Sequence, residues 1–147
     1  MTPREGETEG VAGTRTLQFA GADGGAAPEL LINADARSGT VRVQLSHGGW
    51  NAGKGPSAAP GFAVEGFGFD QSVSLGAGRS ELHWQPTWGS GSTVAAALRA
   101  NKAELCDQKG SSCYLTVQVQ LTGDAQLFSV AGDFHPWCGI SACRAGE

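Results

Sequence analysis

The sequence has few charged residues, and its basic residues do not cluster. Only 16% of the 147 residues are charged, and ten Lys and Arg against fourteen Asp and Glu give a formal net charge of −4. A nucleic-acid-binding surface needs clustered basic residues, so we expect no nucleic-acid partner. The chain also lacks an apolar run of about 18 residues, so we expect no membrane partner.

A secretion signal is also missing from the start of the sequence. The first ten residues, MTPREGETEG, are polar and acidic, whereas a signal peptide has a basic start and an apolar centre. We interpret residues 1–13 as a flexible linker. We expect any signal to lie upstream of Met1 in a longer natural chain.

What the sequence has in abundance is glycine, at 23 residues, together with two segments of alternating polarity. In residues 40–46 and 114–121 every second residue is apolar, which is typical of a strand with one buried face. Residues 30–46 therefore predict a hairpin, with Gly39 free to adopt a positive φ in its turn. Residues 114–132 predict a second hairpin.

The remaining elements complete an all-β pattern. Short strands are predicted at 14–20, 62–69, 72–75 and 80–84, and one short helix at 93–105, capped by Ser92 or Thr93. Many short strands separated by turns favour a two-sheet antiparallel β-sandwich, which we expect to be jelly-roll-like. The two alternating segments would lie in two sheets that share one core. The sandwich would span residues 14–134, and residues 135–147 would form an irregular tail pinned by cysteines.

The four cysteines form two close pairs, Cys106 with Cys113 and Cys138 with Cys143. Their even number and short spacing predict two short-loop disulfides, although the connectivity stays open and four reduced thiols are the alternative. Disulfides would place the protein in an oxidising compartment, and we expect an extracellular or secreted location.

The order of several segments resembles a known family. These segments are TRTLQF, LLINADARSGTVRVQL, PGF at 60–62, ELHW, LTVQVQL and LFSV. Together they resemble the C-terminal β-sandwich accessory module of secreted glycoside hydrolase and sialidase-like proteins. The loop at 47–59, the segment 101–113 and the tail after residue 134 depart from that pattern. The resemblance implies a non-catalytic module without a cofactor, which packs against a neighbouring catalytic or propeller domain or aids contact with a glycan.

Tryptophans supply an alternative function. Trp50 and Trp88 lie in glycine-rich loops, where an exposed indole can stack on the apolar face of a sugar ring. The chain would then be a stand-alone carbohydrate-binding module, whereas packing of both rings is the ordinary alternative. Trp84, at a strand end, and Trp137, beside Cys138, are expected to pack in the interior.

Residues that support catalysis or metal binding are few. A small glycoside hydrolase would need two carboxylates about 5–9.5 Å apart, and the candidates lie in no recognisable motif: Glu65, Asp70, Glu81 and Asp133. His47, His83 and His135 show no metalloprotease spacing. His135 with Cys138 and Cys143 lacks a fourth ligand for zinc, so a disulfide loop is favoured. We therefore expect no catalytic residues, metal or cofactor.

Overall fold

The fold is an all-β sandwich, as the sequence predicts. The computed structural model describes residues 9–14, 16–20, 28–37, 39–47, 63–75, 80–106 and 112–136. The strands in these ranges are β1 (Glu9–Gly13), β2 (Leu17–Ala20), β3 (Leu30–Asp35), β4 (Gly39–His47), β5 (Ser80–Trp84), β6 (Ser112–Gly123), β7 (Gln126–Gly132) and β8 (Phe134–Pro136). The helices are α1 (Val94–Ala100) and α2 (Lys102–Leu105). The strands form two antiparallel sheets.

Sheet 1 is built around the long strand β6. Strand β4 runs along one side of β6, while β1 and β2 lie end to end along its other side, and β8 pairs with β2. Thr14 lies between β1 and β2 and continues their pairing with β6. Its N–H donates to Val117 O at 2.9 Å, and its hydroxyl accepts from Val117 N at 3.0 Å. The linker prediction is therefore wrong for residues 9–13, which form β1. The predicted tail likewise starts too early, because residues 135–136 belong to β8.

Sheet 2 has β3 at its centre, between β5 and β7. This arrangement shows that both predicted hairpins are wrong. The consecutive strands β3 and β4 lie in different sheets, and so do β6 and β7. The two strands of clean alternation are instead neighbours in sheet 1, where Val43 lies opposite Val119. The chain thus crosses between the sheets at a first corner, after β3, and at a second corner, after β6.

The two corners pack side by side, and small residues make this possible. Gly39 lies opposite Gly123, while Ala36 and Ala125 are fully buried beside them. A Cβ on Gly39 would collide with the carbonyl oxygen of Thr122 and come within 2.9 Å of the Ala125 nitrogen. Gly39 is thus required for close approach, and the positive φ expected at this position is not observed.

The interior between the sheets is mainly apolar. Val43 and Val117 each have 0% exposure, and β6 alternates between buried and half-buried residues along nearly its whole length. The largest buried side chains are Trp88, Phe19, Leu30, Ile32, Leu45, Leu75, Leu98, Leu115, Leu121, Val41, Val43 and Val64. Burial of one such side chain is worth about 1.5–3 kcal/mol, so this interior is the main source of stability.

The outer edge of β4 is covered by the segment 63–75. Val41 and Leu75 exchange two backbone hydrogen bonds, at 3.1 and 2.9 Å. Leu45 donates to Phe67 O at 2.9 Å and accepts from Val64 N at 2.8 Å. The strands predicted at 62–69 and 72–75 are not formed within the described residues 63–75, which make only isolated bridges and turns. The segment therefore protects an edge without extending the sheet.

The predicted helix is present but divided. Residues 93–105 contain α1 and α2, separated at Asn101, whose side-chain amide donates to Ala97 O at 3.1 Å. Thr93 is the N-cap residue of α1, but its side chain makes no capping hydrogen bond. The buried face of α1 packs on the sandwich through Val94 and Leu98. The helices therefore cover one part of the common core.

Candidate functional site

Trp88 is a structural residue. Its side chain is 1% exposed, its Nε1–H donates to Val43 O at 2.8 Å, and its ring lies 5.4 Å from the ring of Phe67. The prediction that Trp88 offers an exposed platform to a sugar is therefore wrong. Trp84 is partly buried against the core. Trp50 and Trp137 lie outside the described residues.

The first cysteine pair forms the predicted local disulfide. Cys106, directly after α2, is bonded to Cys113 in β6. Both residues are buried, with exposures of 1% and 0%. The disulfide ties the end of α2 to sheet 1. Cys138 and Cys143 lie outside the described residues, so the second pairing stays a prediction.

The four candidate carboxylates occupy different parts of the fold. Glu65 and Asp70 are exposed on the segment that covers β4. Asp133 is exposed between β7 and β8, where its Oδ2 accepts a hydrogen bond from the backbone N–H of Glu29 at 2.9 Å. The side chain of Glu81 lies outside the described part of the chain. Within that part, no group of three or more His, Cys, Asp or Glu residues could hold a metal ion.

One candidate surface is the outer face of sheet 2, and Phe128 is its most exposed apolar residue. The register between β3 and β7 shifts between Asn33 and Ala34, so Phe128 occupies a β-bulge. Leu127 and Val130 pack against the core on either side of it. The Phe128 side chain is left 58% exposed. We call this face the Phe128 surface: Leu31, Asn33, Phe128, Ser129 and Ala131.

Carboxylates flank the Phe128 surface. Asp124 and Asp133 are exposed at the two ends of β7, and Glu29 is exposed beside Asp133. Asp35, on the same face, pairs with Arg37 at 2.8 Å, and the hydrogen bonds from Arg37 hold the pKa of Asp35 below its ordinary value. The surface thus has Phe128 at its centre and a rim of carboxylates, one of which is paired with the exposed Arg37.

A second candidate surface is the outer face of sheet 1. Gln118 Oε1 accepts a hydrogen bond from Gln44 Nε2 at 2.6 Å and another from the Ser46 hydroxyl at 3.0 Å. Gln120 is the next residue of β6 on the same face as Gln118. We call this group the amide face: Gln44, Ser46, Thr116, Gln118 and Gln120. The hydrogen bonds fix the carbonyl end of Gln118 and leave its Nε2 without a partner among the described residues.

Strand β1 adds little side-chain bulk beside the amide face. Gly13 is opposite Gln118, and a Cβ at Gly13 would lie 3.7 Å from Gln118 Cγ, within ordinary contact distance. Val11, opposite Gln120, is 48% exposed. This part of sheet 1 therefore presents the uncharged Gln118 and Gln120 beside the exposed apolar Val11, with the exposed Arg42 opposite Gln120 on β4.

The sequence predicts part of these surfaces. Gln44, Gln118 and Gln120 face outward, as the alternation predicts, but Ser46 is fully buried by its surroundings. Phe128 could not be identified, because strict alternation would place it on the same face as Val130. The only hint is that Leu127 and Phe128 are adjacent apolar residues, which breaks the period of two.

Comparisons with known proteins leave the chain without an assigned family. No protein-family model matches it, and neither does any curated protein or solved structure. None of the helices in the described ranges is long and apolar enough to cross a bilayer. The resemblance to the accessory modules of glycoside hydrolases therefore stays a prediction.

Proposed function

We propose that this chain is a non-catalytic accessory module that docks on a neighbouring protein domain through the Phe128 surface. The observation that carries the proposal is the 58% exposure of Phe128 at a β-bulge. Bulges re-aim side chains, and aromatic anchors at the centre of a patch with a polar rim are typical of protein interfaces.

The energetic gain from covering Phe128 is large enough to matter. A Phe side chain offers roughly 200 Å², so the exposed 58% corresponds to roughly 115 Å² and about 2–3 kcal/mol on complete burial. The rim carboxylates favour a partner that has Lys or Arg around an apolar pocket. Association should therefore weaken as ionic strength rises.

The proposed setting is an extracellular carbohydrate-active protein whose catalytic or propeller domain is the partner. Two observations support this setting. The buried Cys106–Cys113 disulfide fits an oxidising compartment, and the order of strand segments resembles the accessory modules described above.

The test uses the domain encoded beside this chain in its gene. That domain is produced separately and titrated with the module by calorimetry. Phe128→Ser should weaken binding about tenfold or more, since it removes most of the estimated apolar gain. Val73→Ser is the matched control, because Val73 is also exposed, at 48%, but lies on the segment that covers β4. Absence of binding, or equal binding by both variants, would refute the proposal.

We propose binding of a neutral glycan as a second candidate function, located at the amide face. Amides and hydroxyls both donate and accept hydrogen bonds, as sugar hydroxyls do. The hydrogen bonds that Gln44 and Ser46 make to Gln118 fix that side chain in advance, which lowers the entropic cost of binding. Val11 offers an apolar contact for the C–H groups of a sugar ring.

Affinity electrophoresis distinguishes this candidate from the first. Gels containing soluble neutral polysaccharides such as xylan, dextran or glucomannan should slow the protein. Gln118→Ala and Gln120→Ala should abolish the retardation, whereas Gln126→Ala, an exposed glutamine on β7, should not. Unchanged mobility in all three polysaccharides would eliminate the glycan function and leave docking through Phe128 unaffected.

A further inference from the structure

His47 is a buried imidazole without full hydrogen bonding. It is the last residue of β4 and is only 4% exposed. Its Nδ1 has no hydrogen-bond partner among the described residues. Its Nε2 lies 3.8 Å from Glu104 Oε2 on α2, which is too far for a hydrogen bond. A buried polar atom without a partner is costly, so the position of His47 calls for a physical explanation.

The surroundings of His47 favour its neutral form. Burial lowers the pKa of His47, and attraction to Glu104 opposes this shift more weakly. The interior residues of β4 and β6 near this end are apolar. Of the charged residues that the structure describes on α1 and α2, namely Arg99, Lys102 and Glu104, only Glu104 acts on His47.

We propose that His47 is an acid-sensitive latch, and that its protonation loosens the packing of α2 on the end of the sandwich while the disulfide keeps Cys106 attached to β6. Among the described residues, an imidazolium at this position would be buried, with one half-exposed carboxylate nearby and no acceptor for its Nδ1–H. Glu104 places α2 against His47, so α2 is the element whose movement we expect to admit water to the charge. This helix has only four residues and is anchored by Leu105 and by the disulfide at Cys106.

The direction of the pH effect follows from proton linkage. The closed state binds a proton less readily than the open state, in which His47 has its ordinary pKa near 6.5. The stabilisation of the closed state relative to the open state that comes from neutral His47 is therefore complete at pH values well above 6.5. It is lost progressively as the pH falls through 6.5 towards the lowered pKa of the closed state. For one proton, the opening equilibrium changes by at most about tenfold per pH unit.

The buried disulfide reports this opening. Cys106 and Cys113 are 1% and 0% exposed, so a phosphine reductant reaches them only after local opening, and Cys106 directly follows α2. Reduction of this disulfide, followed by peptide mass spectrometry, is compared between the wild-type protein and His47→Gln, which cannot titrate. The ratio of the two rates should rise up to about tenfold between about pH 7.5 and about pH 5.5. A ratio that does not depend on pH would overturn the proposal.

Two further variants make the test specific. His83→Gln removes an exposed histidine and should behave as the wild type does. Glu104→Gln removes the one described carboxylate that stabilises the protonated form, so it should respond more strongly to acid than the wild type. A weaker acid response in Glu104→Gln than in the wild type would contradict the latch.

Hydrogen exchange tests the proposal without any substitution. The amides of Leu105 and Cys106 are bonded within α2, to Asn101 O at 2.9 Å and to Lys102 O at 3.0 Å. After correction for intrinsic exchange, both should lose protection below about pH 6.5, whereas the core amide of Val119 should not. Parallel loss at Val119 would indicate global unfolding and would overturn the latch.

Discussion

The replacement of Trp88 by Phe tests whether this residue is structural. In the wild type the indole Nε1–H satisfies the carbonyl of Val43 at 2.8 Å, on the one edge of β4 that no full strand covers. Phe keeps an aromatic ring but cannot donate this hydrogen bond. The variant therefore leaves a buried carbonyl without a partner and a cavity where the indole was.

The expected loss of stability is the sum of these two effects. An unsatisfied buried carbonyl costs about 1–3 kcal/mol, and the lost volume beside Phe67 costs about 1–2 kcal/mol. We expect a decrease of about 3 kcal/mol in the free energy of unfolding. For a chain of this length that corresponds to a Tm lower by about 6–12 °C.

Urea denaturation followed by circular dichroism measures this change without depending on tryptophan fluorescence. Trp84→Phe is the matched control and should cost less than half as much, because Trp84 is only partly buried. A loss below about 1 kcal/mol in Trp88→Phe, with an unchanged m-value, would refute the structural role. It would also reopen the possibility that Trp88 reaches a ligand.

Four other variants probe the packing. Gly39→Ala should destabilise the protein by about 1–3 kcal/mol in the same assay, because its Cβ collides with the β6 backbone. Gly13→Ala is the control and should be nearly neutral, because a Cβ at Gly13 has room. Equal effects of the two variants on the free energy of unfolding would contradict the corner geometry. Ser72→Ala removes the acceptor of the Val43 N–H, 3.0 Å away, and should cost about 1–3 kcal/mol of unfolding free energy. Replacing Cys106 and Cys113 by Ala should cost about 2 kcal/mol; an unchanged Tm would show that the disulfide does not constrain the unfolded chain.

The sequence predicts which residues are strands more reliably than it predicts how strands pair. The alternation in β4 and β6 identifies their buried faces, because a period of two is a local property. It cannot show whether the next strand folds back in the same sheet or crosses to the other one. That choice depends on contacts between distant residues, such as the approach of Gly39 to Gly123 at the two corners.

The candidate surfaces illustrate the same limit. The outward direction of Gln118 follows from alternation, whereas its hydrogen bonds to Gln44 and Ser46 require the register between β4 and β6. The exposure of Phe128 depends on a bulge that only the pairing with β3 creates. Trp88 looks like a loop residue in the sequence. In the structure it is buried against the edge of β4, where its Nε1–H donates a hydrogen bond to Val43 O.

The central claim is that the two corners place β4 and β6 in one sheet and β3 and β7 in the other. Proton NMR tests this claim directly through distances across neighbouring strands. The structure predicts backbone nuclear Overhauser effects between Val43 and Val119 and between Ile32 and Val130, which are paired in the two sheets. Effects that instead pair β3 with β4, or β6 with β7, across whole strands would establish hairpins and contradict the structure on which both proposed surfaces depend.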